Sequence, residues 1–385
     1  MKIRTPDYFN EFKCIADKCE DTCCAGWGIV IDDESYKKYL LVDGEFGYKL
    51  RNKIIDEEGE KIFALKGDRC SFLNENNLCD IYSNLGSDGL CYTCRQYPRY
   101  LEEFGNLREV GISLSCPEAA RIILSKNDKV KFNLTENDEE ISSYNDINPN
   151  IYINLMQSRK IVFDILQNRE IGLSHRCAII LAFINEVQEK IDLNDINSIK
   201  DTNKKYLNKE FIDETINYFQ TFNNKLEQKY INIYKILNVF KDLKHIKPND
   251  ILGLENSLRY FWQNEEDIKV YLSINDSFNN YYKDKEYQFE QILIYYVFRY
   301  FMKAVFDYDV LAKIKFALIS FIVIKELSVI RYLENKEFLD DDMIDIAHVY
   351  SKDIEHLEEN IEILEELFET KNEFSIENLI ITLIN

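Results

Sequence analysis

The chain has 385 residues, is 46% hydrophobic and 30% charged, and carries a formal net charge of −21 from 47 basic and 68 acidic side chains. At about 150 residues per domain it can build two to three cores, which excludes a wholly disordered chain, a collagen and a small disulfide scaffold. Its acidity argues against a nucleic-acid binder, whose surface must meet phosphate with basic groups.

The first twelve residues, MKIRTPDYFNEF, hold no apolar core and no small-residue cleavage site, so no export signal is expected. No run of about 18 apolar residues occurs further along; the stretch that begins at Val310 is interrupted by Lys313 and Lys315. The expected location is therefore cytoplasmic, with no membrane span.

Nine of the 10 cysteines then fall in the first third of the chain: Cys14, Cys19, Cys23, Cys24, Cys70, Cys79, Cys91, Cys94 and Cys116. A reducing compartment disfavours disulfides among them. Their short spacings beside Gly, Asp, Asn and Pro do not suit inert core packing. Metal or cluster ligation is the preferred reading, because thiolates are soft ligands for zinc or iron. All 4 histidines (His175, His245, His348 and His356) come later, so a site here would be all-thiolate unless a carboxylate joined. Cys91-Tyr-Thr-Cys94 has chelate spacing, although such a pair also serves redox chemistry; no helix start is expected there to lower either thiol pKa. Cys14-x4-Cys19-x3-Cys23-Cys24 is denser. Nine thiols allow one four-ligand site or two, and spacing decides neither the partition nor iron against zinc. The C-x3-C-x2-C spacing of radical enzymes is absent, since Gly26 stands where the third cysteine would be. Arg95, Arg99 and Arg108 near the thiols either balance their charge or are surface residues.

Between the thiols, Ile29-Val-Ile31 suggests a short strand or buried turn, residues 33–41 a helix, and residues 61–65 a strand. Residues 1–125, with 16 basic and 22 acidic side chains, read as a small cysteine-rich metal-binding module. Residues 126–150 are polar and poorly periodic, a boundary or connection. Residues 151–385 hold few glycines or prolines and show apolar periodicity. Helices are predicted over 155–167, 176–190, 209–237, 255–262, 288–308, 310–333 and 357–368, with another starting at Asp340. Cys177 lies in an apolar stretch and reads as a core residue. The predicted class is α+β, a small cysteine-rich module followed by a predominantly α-helical region able to bind a protein.

No P-loop, dinucleotide loop, H-E-x-x-H or G-x-S-x-G is present, and neither His175 nor His245 has neighbours that make it a base. The residues alone therefore assign no catalytic group and no cofactor-binding group.

Cys14-x4-Cys19-x3-Cys23-Cys24-Ala-Gly-Trp-Gly, Cys70-x8-Cys79-Asp-Ile-Tyr82, Cys91-Tyr-Thr-Cys94-Arg-Gln-Tyr97-Pro-Arg99 and Cys116-Pro117 resemble a zinc- or iron-chelating cysteine-cluster module. With the long helical region behind them, they resemble the bacterial flagellin lysine N-methylase family (FliB). These motifs cover residues 6–117. The resemblance implies methyl transfer from S-adenosylmethionine to lysine ε-amines of flagellin. It also implies an iron–sulfur cluster, by preference 4Fe–4S with zinc as the alternative metal, held by ligands drawn from the nine cysteines. The family's shorter Arg-Pro loop before Cys91 is replaced here by Ser83-Asn-Leu-Gly-Ser-Asp-Gly-Leu90. Trp27, Tyr97 and Tyr100 lie near the thiols as possible substrate contacts. The competing reading is a non-enzymatic zinc- or iron-binding interaction protein, and a weaker one is a redox protein using Cys91 and Cys94.

Overall fold

The computed structural model describes residues 1–57, 59–139, 147–246, 253–264 and 266–385. Among them, one four-stranded sheet and two two-stranded ribbons lie within residues 2–136, and the described elements beyond are helices. The α+β arrangement is as expected. Of the connection expected over 126–150, residues 140–146 lie outside the described residues. Ahead of them Phe132–Glu136 is a strand, and Pro149 opens a helix.

The sheet joins distant segments. Lys2–Pro6 runs parallel to Leu107–Ile112, with Lys2 opposite Leu107 and Arg4 opposite Glu109, and antiparallel to Phe132–Glu136. Arg99–Phe104 and Leu107–Ile112 form a hairpin in which Phe104 faces Leu107. Gly105, the first residue of its two-residue loop, has φ +64°, which a side chain would strain and which matches the hairpin's right-handed twist.

Two apolar cores result. The larger runs from the sheet into the helices and joins Tyr8, Phe12, Ile112 and Leu114 to the helical residues. The smaller gathers Ile29, Tyr39, Leu50, Phe63, Phe72 and Ile81 with Cys70 and Cys91; Phe63 and Phe72 meet edge to face at 5.1 Å. In this smaller unit the predicted helix is Asp33–Leu40, whose N-cap Asp32 accepts from the Ser35 N–H at 2.9 Å. Ile29-Val-Ile31 makes a single bridge, Val30 to Ile62.

Val310–Asn335 is apolar on all sides and buried along most of its 26 residues, the pattern of a central helix. Lys313 and Lys315 stay inside because each finds a partner. Lys313 meets Asp307 at 2.7 Å and also pairs with Glu365, and Lys315 donates to the Phe368 carbonyl at 2.8 Å. Tyr287–Tyr300, Leu173–Asp192 and Asp340–Glu355 pack around it. The helix predicted over 209–237 is instead two, Lys209–Phe219 and Leu226–Lys241. The break falls at Asn223-Asn224, where Asn224 adopts φ +64°, a conformation asparagine tolerates. The one predicted over 288–308 divides at a 3₁₀ turn, Phe301–Lys303. No helix among the described residues is long and apolar enough to cross a membrane.

The sheet is tied to the helices by a buried charge cluster. Glu109, only 2% exposed, accepts from Arg159 at 2.7 and 2.5 Å and from Arg4 at 2.8 Å. Glu109→Gln leaves two guanidiniums short of a counter-charge. It is expected to cost about 3–5 kcal/mol, read as a lower urea midpoint at unchanged slope; an unchanged midpoint would show that the cluster contributes nothing.

Candidate functional site

Seven of the nine proposed ligands, Cys14, Cys19, Cys23, Cys24, Cys79, Cys94 and Cys116, line one cavity of about 460 Å³. Cys70 and Cys91 are buried in the smaller core, against which Cys24, Cys79 and Cys94 pack. Cys177 is fully buried in the Leu173–Asp192 helix, and burial pushes its thiol up to about 12, consistent with a core role.

Three of the thiols sit at helix starts. Cys79 caps Asp80–Leu85, Cys91 caps Tyr92–Gln96 and Cys116 caps Pro117–Ser125. The expectation that Cys91 lacks helix-start context is therefore wrong. A hydrogen bond from the Cys94 thiol lowers the pKa of Cys91, and the backbone N–H groups of Cys94 and Thr93 add to it, against the effect of burial. The same bond, with burial, holds the Cys94 thiol up. Burial dominates elsewhere, raising Cys70 to about 11 and Cys116 to about 12, the latter opposed by the N–H groups of Ala119 and Glu118. The Cys23 and Cys24 sulfurs lie 4.0 Å apart, and this contact, with burial, raises Cys23.

Among the described residues, no three His, Cys, Asp or Glu side chains are arranged to hold one metal ion. The donor set nevertheless suits a soft metal. It is all sulfur, it converges on one cavity, and N–H groups of helix starts favour the thiolate form. Thiols kept protonated by burial are those that a bound cation would deprotonate.

The loop that carries Cys14 to Cys24 is anchored on the helical region. Lys352 meets the Asp21 carboxylate at 2.5 Å and the Thr22 carbonyl at 3.1 Å, His348 Nε2 lies 3.3 Å from Asp21, and Arg121 pairs with Glu20. Behind the cavity Ser115 is a junction. Its carbonyl accepts from Tyr97 at 2.9 Å and from His348 Nδ1 at 3.0 Å, and its hydroxyl meets His356 Nε2 at 3.0 Å and Ser113 at 2.8 Å. Ser113 leads to Tyr295 at 3.3 Å. Tyr295 donates to Glu355 at 3.0 Å, where Tyr296, Tyr300, Ser351 and Arg299 also converge. Sequence reasoning missed His348, Lys352, Glu355 and His356, which stand more than 200 residues beyond the last of the nine thiols. The four-residue and eight-residue spacings along one helix were the only available signal. His245 pairs with Asp353 at 2.5 Å, outside the cavity wall.

Burial, then the charges of Arg299, Lys352 and His348, push His356 down to about 4. The unfolded chain, with an ordinary value near 6.5, binds more protons between these limits. Stability should therefore fall as pH drops from about 6.5 to about 4, by up to about 3 kcal/mol, and this contribution should level off below. Urea unfolding across that range should show a steeper loss for the native sequence than for His356→Gln; equal slopes would refute the assignment.

Residues 159–382 match the family model described as FliB lysine N-methylase C-terminal domain. The chain is 31% identical over 135 residues to the flagellar biosynthetic protein FliU of Salmonella muenchen, covering 33% of this chain and 80% of that protein. The same identity and length hold for the lysine-N-methylases of Salmonella typhimurium and Salmonella choleraesuis, of which only 34% is covered in each case. No solved structure matches. The match to the FliB model spans more than half of the sequence, and the chain belongs to the FliB lysine N-methylase family.

Proposed function

We propose that the chain is a cytoplasmic protein-lysine methyltransferase. It transfers methyl from S-adenosylmethionine to lysine ε-amines of flagellin and carries an iron–sulfur cluster on its cysteines. The observation that carries this reading is family membership across the helical region, joined to a thiol-lined cavity whose cysteine loop that region anchors. The relatives' names supply lysine methylation and the flagellar setting.

The chemistry sets clear demands. The lysine must reach the cavity as a neutral amine aligned behind the sulfonium methyl. The nitrogen lone pair forms the N–C bond as the C–S pair returns to sulfur, and a proton leaves the nitrogen. Ser115 and Tyr97 border the cavity and begin the chain of hydroxyls that ends at Glu355, a route along which such a proton can pass. The seven lining cysteines, with Cys70 and Cys91, are the groups from which the cluster's ligands would be drawn. Bound there, it would supply a Lewis-acidic, redox-active iron centre.

Anaerobically prepared protein, given flagellin and S-adenosylmethionine, is expected to add methyl increments to flagellin lysines, seen by peptide mass spectrometry. Intact donor binding without increments would count against the enzyme and for the metal-binding interaction protein. Metal analysis of the same preparation should find iron and acid-labile sulfide in matching amounts. Cys79→Ser and Cys94→Ser should lose most of both, while Cys177→Ser keeps them. Zinc without sulfide would overturn the cluster.

A further inference from the structure

Trp27 and Tyr97 stand in the cavity wall with their polar atoms already engaged. The indole N–H donates to the Cys23 carbonyl at 2.9 Å and the phenol donates to the Ser115 carbonyl at 2.9 Å. What they can offer a ligand is therefore ring surface. The two rings lie 6.0 Å apart at 33°, and the His356 ring backs them at 5.6 and 6.2 Å. The one carboxylate in the wall, Asp21, is held by Lys352 and His348. With that carboxylate engaged, the aromatic faces are what the wall offers a cation without protons.

The same wall contains Arg99, half-buried, with its guanidinium 5.2 Å over Phe12 and 6.0 Å over Phe9. Among the described residues Arg99 has no carboxylate within ion-pair distance and no hydrogen-bond acceptor. In a chain with 68 acidic side chains, an unpaired guanidinium at a cavity points to an anionic group brought by the ligand. One cavity thus combines a surface for a protonless cation with a donor fork for an anion.

We propose that Trp27 and Tyr97 bind the sulfonium of the methyl donor and that Arg99 binds its carboxylate. This rests on the reading that the donor is S-adenosylmethionine. It assigns a donor site in which affinity depends on the positive charge of sulfur.

Calorimetric titration of the metal-loaded protein with S-adenosylmethionine and with its neutral thioether product, S-adenosylhomocysteine, tests this without turnover. The native sequence should prefer the sulfonium by about three- to thirtyfold, the range expected for a partly desolvated cation on an aromatic face. Trp27→Ala should bring the ratio near one. Trp27→Phe, which keeps a ring and guards against a folding defect, should lower it several-fold. Arg99→Gln should weaken both ligands about tenfold and leave the ratio intact. An unchanged ratio in both Trp27 variants, no effect of Arg99→Gln, or no binding of either ligand to the native sequence would overturn the proposal. A Trp27-dependent ratio without lysine methylation would sink the methyltransferase reading and leave this site standing. Methylation with a Trp27-independent ratio would do the reverse.

Discussion

Lys352 holds the cysteine loop by two groups at once, the Asp21 carboxylate and the Thr22 carbonyl. The interaction is partly buried, which gives it a strength that a fully exposed pair would lack. It sets the position of four thiols, because Cys14, Cys19, Cys23 and Cys24 belong to the segment it secures. The His348 ring presents one nitrogen to Asp21 and the other to the Ser115 carbonyl, next to Cys116. A single face of the Asp340–Glu355 helix thus fixes the two chain segments that frame the cavity. The wall of the thiol site comes from residues 12–117, and the helical region holds that wall in place from behind.

Two opposing influences act on the thiols. Burial favours the neutral form, while helix-start N–H groups favour the thiolate. At Cys91 the hydrogen bonds prevail, and at Cys70 and Cys116 burial does. Such a set is quiet toward stray oxidants and ready for a cation that tips every member the same way. On the other side of the wall Glu355 shows the alternative solution for a buried charge, an arginine and several hydroxyl donors gathered on one carboxylate.

How much of this was legible depended on distance along the chain. The thiols announced themselves by type and spacing, and the long apolar helix at 310–335 by composition. The sheet did not. Lys2-Ile-Arg-Thr-Pro6 has no strong strand pattern, and its partners lie about a hundred residues away. The split of the 209–237 helix turned on the left-handed Asn224, a weaker punctuation than glycine or proline. The helix start at Cys91 was missed because Tyr92–Gln96 is too short to show periodicity. His348, Lys352 and His356 carry no local motif, and only tertiary packing brings them to Ser115 and Asp21.

The distant origin of that helix has a consequence for the order of events during synthesis. All nine thiols, and the small core that holds Cys70 and Cys91, precede Lys352 by more than 230 residues. At roughly 5–20 residues per second, the cysteine loop emerges some tens of seconds before its clamp exists. During that interval the thiols of the loop lack the contacts that later secure them. Once the late helix docks, the loop is pinned against it, so the chain's own length separates the appearance of the thiols from their enclosure.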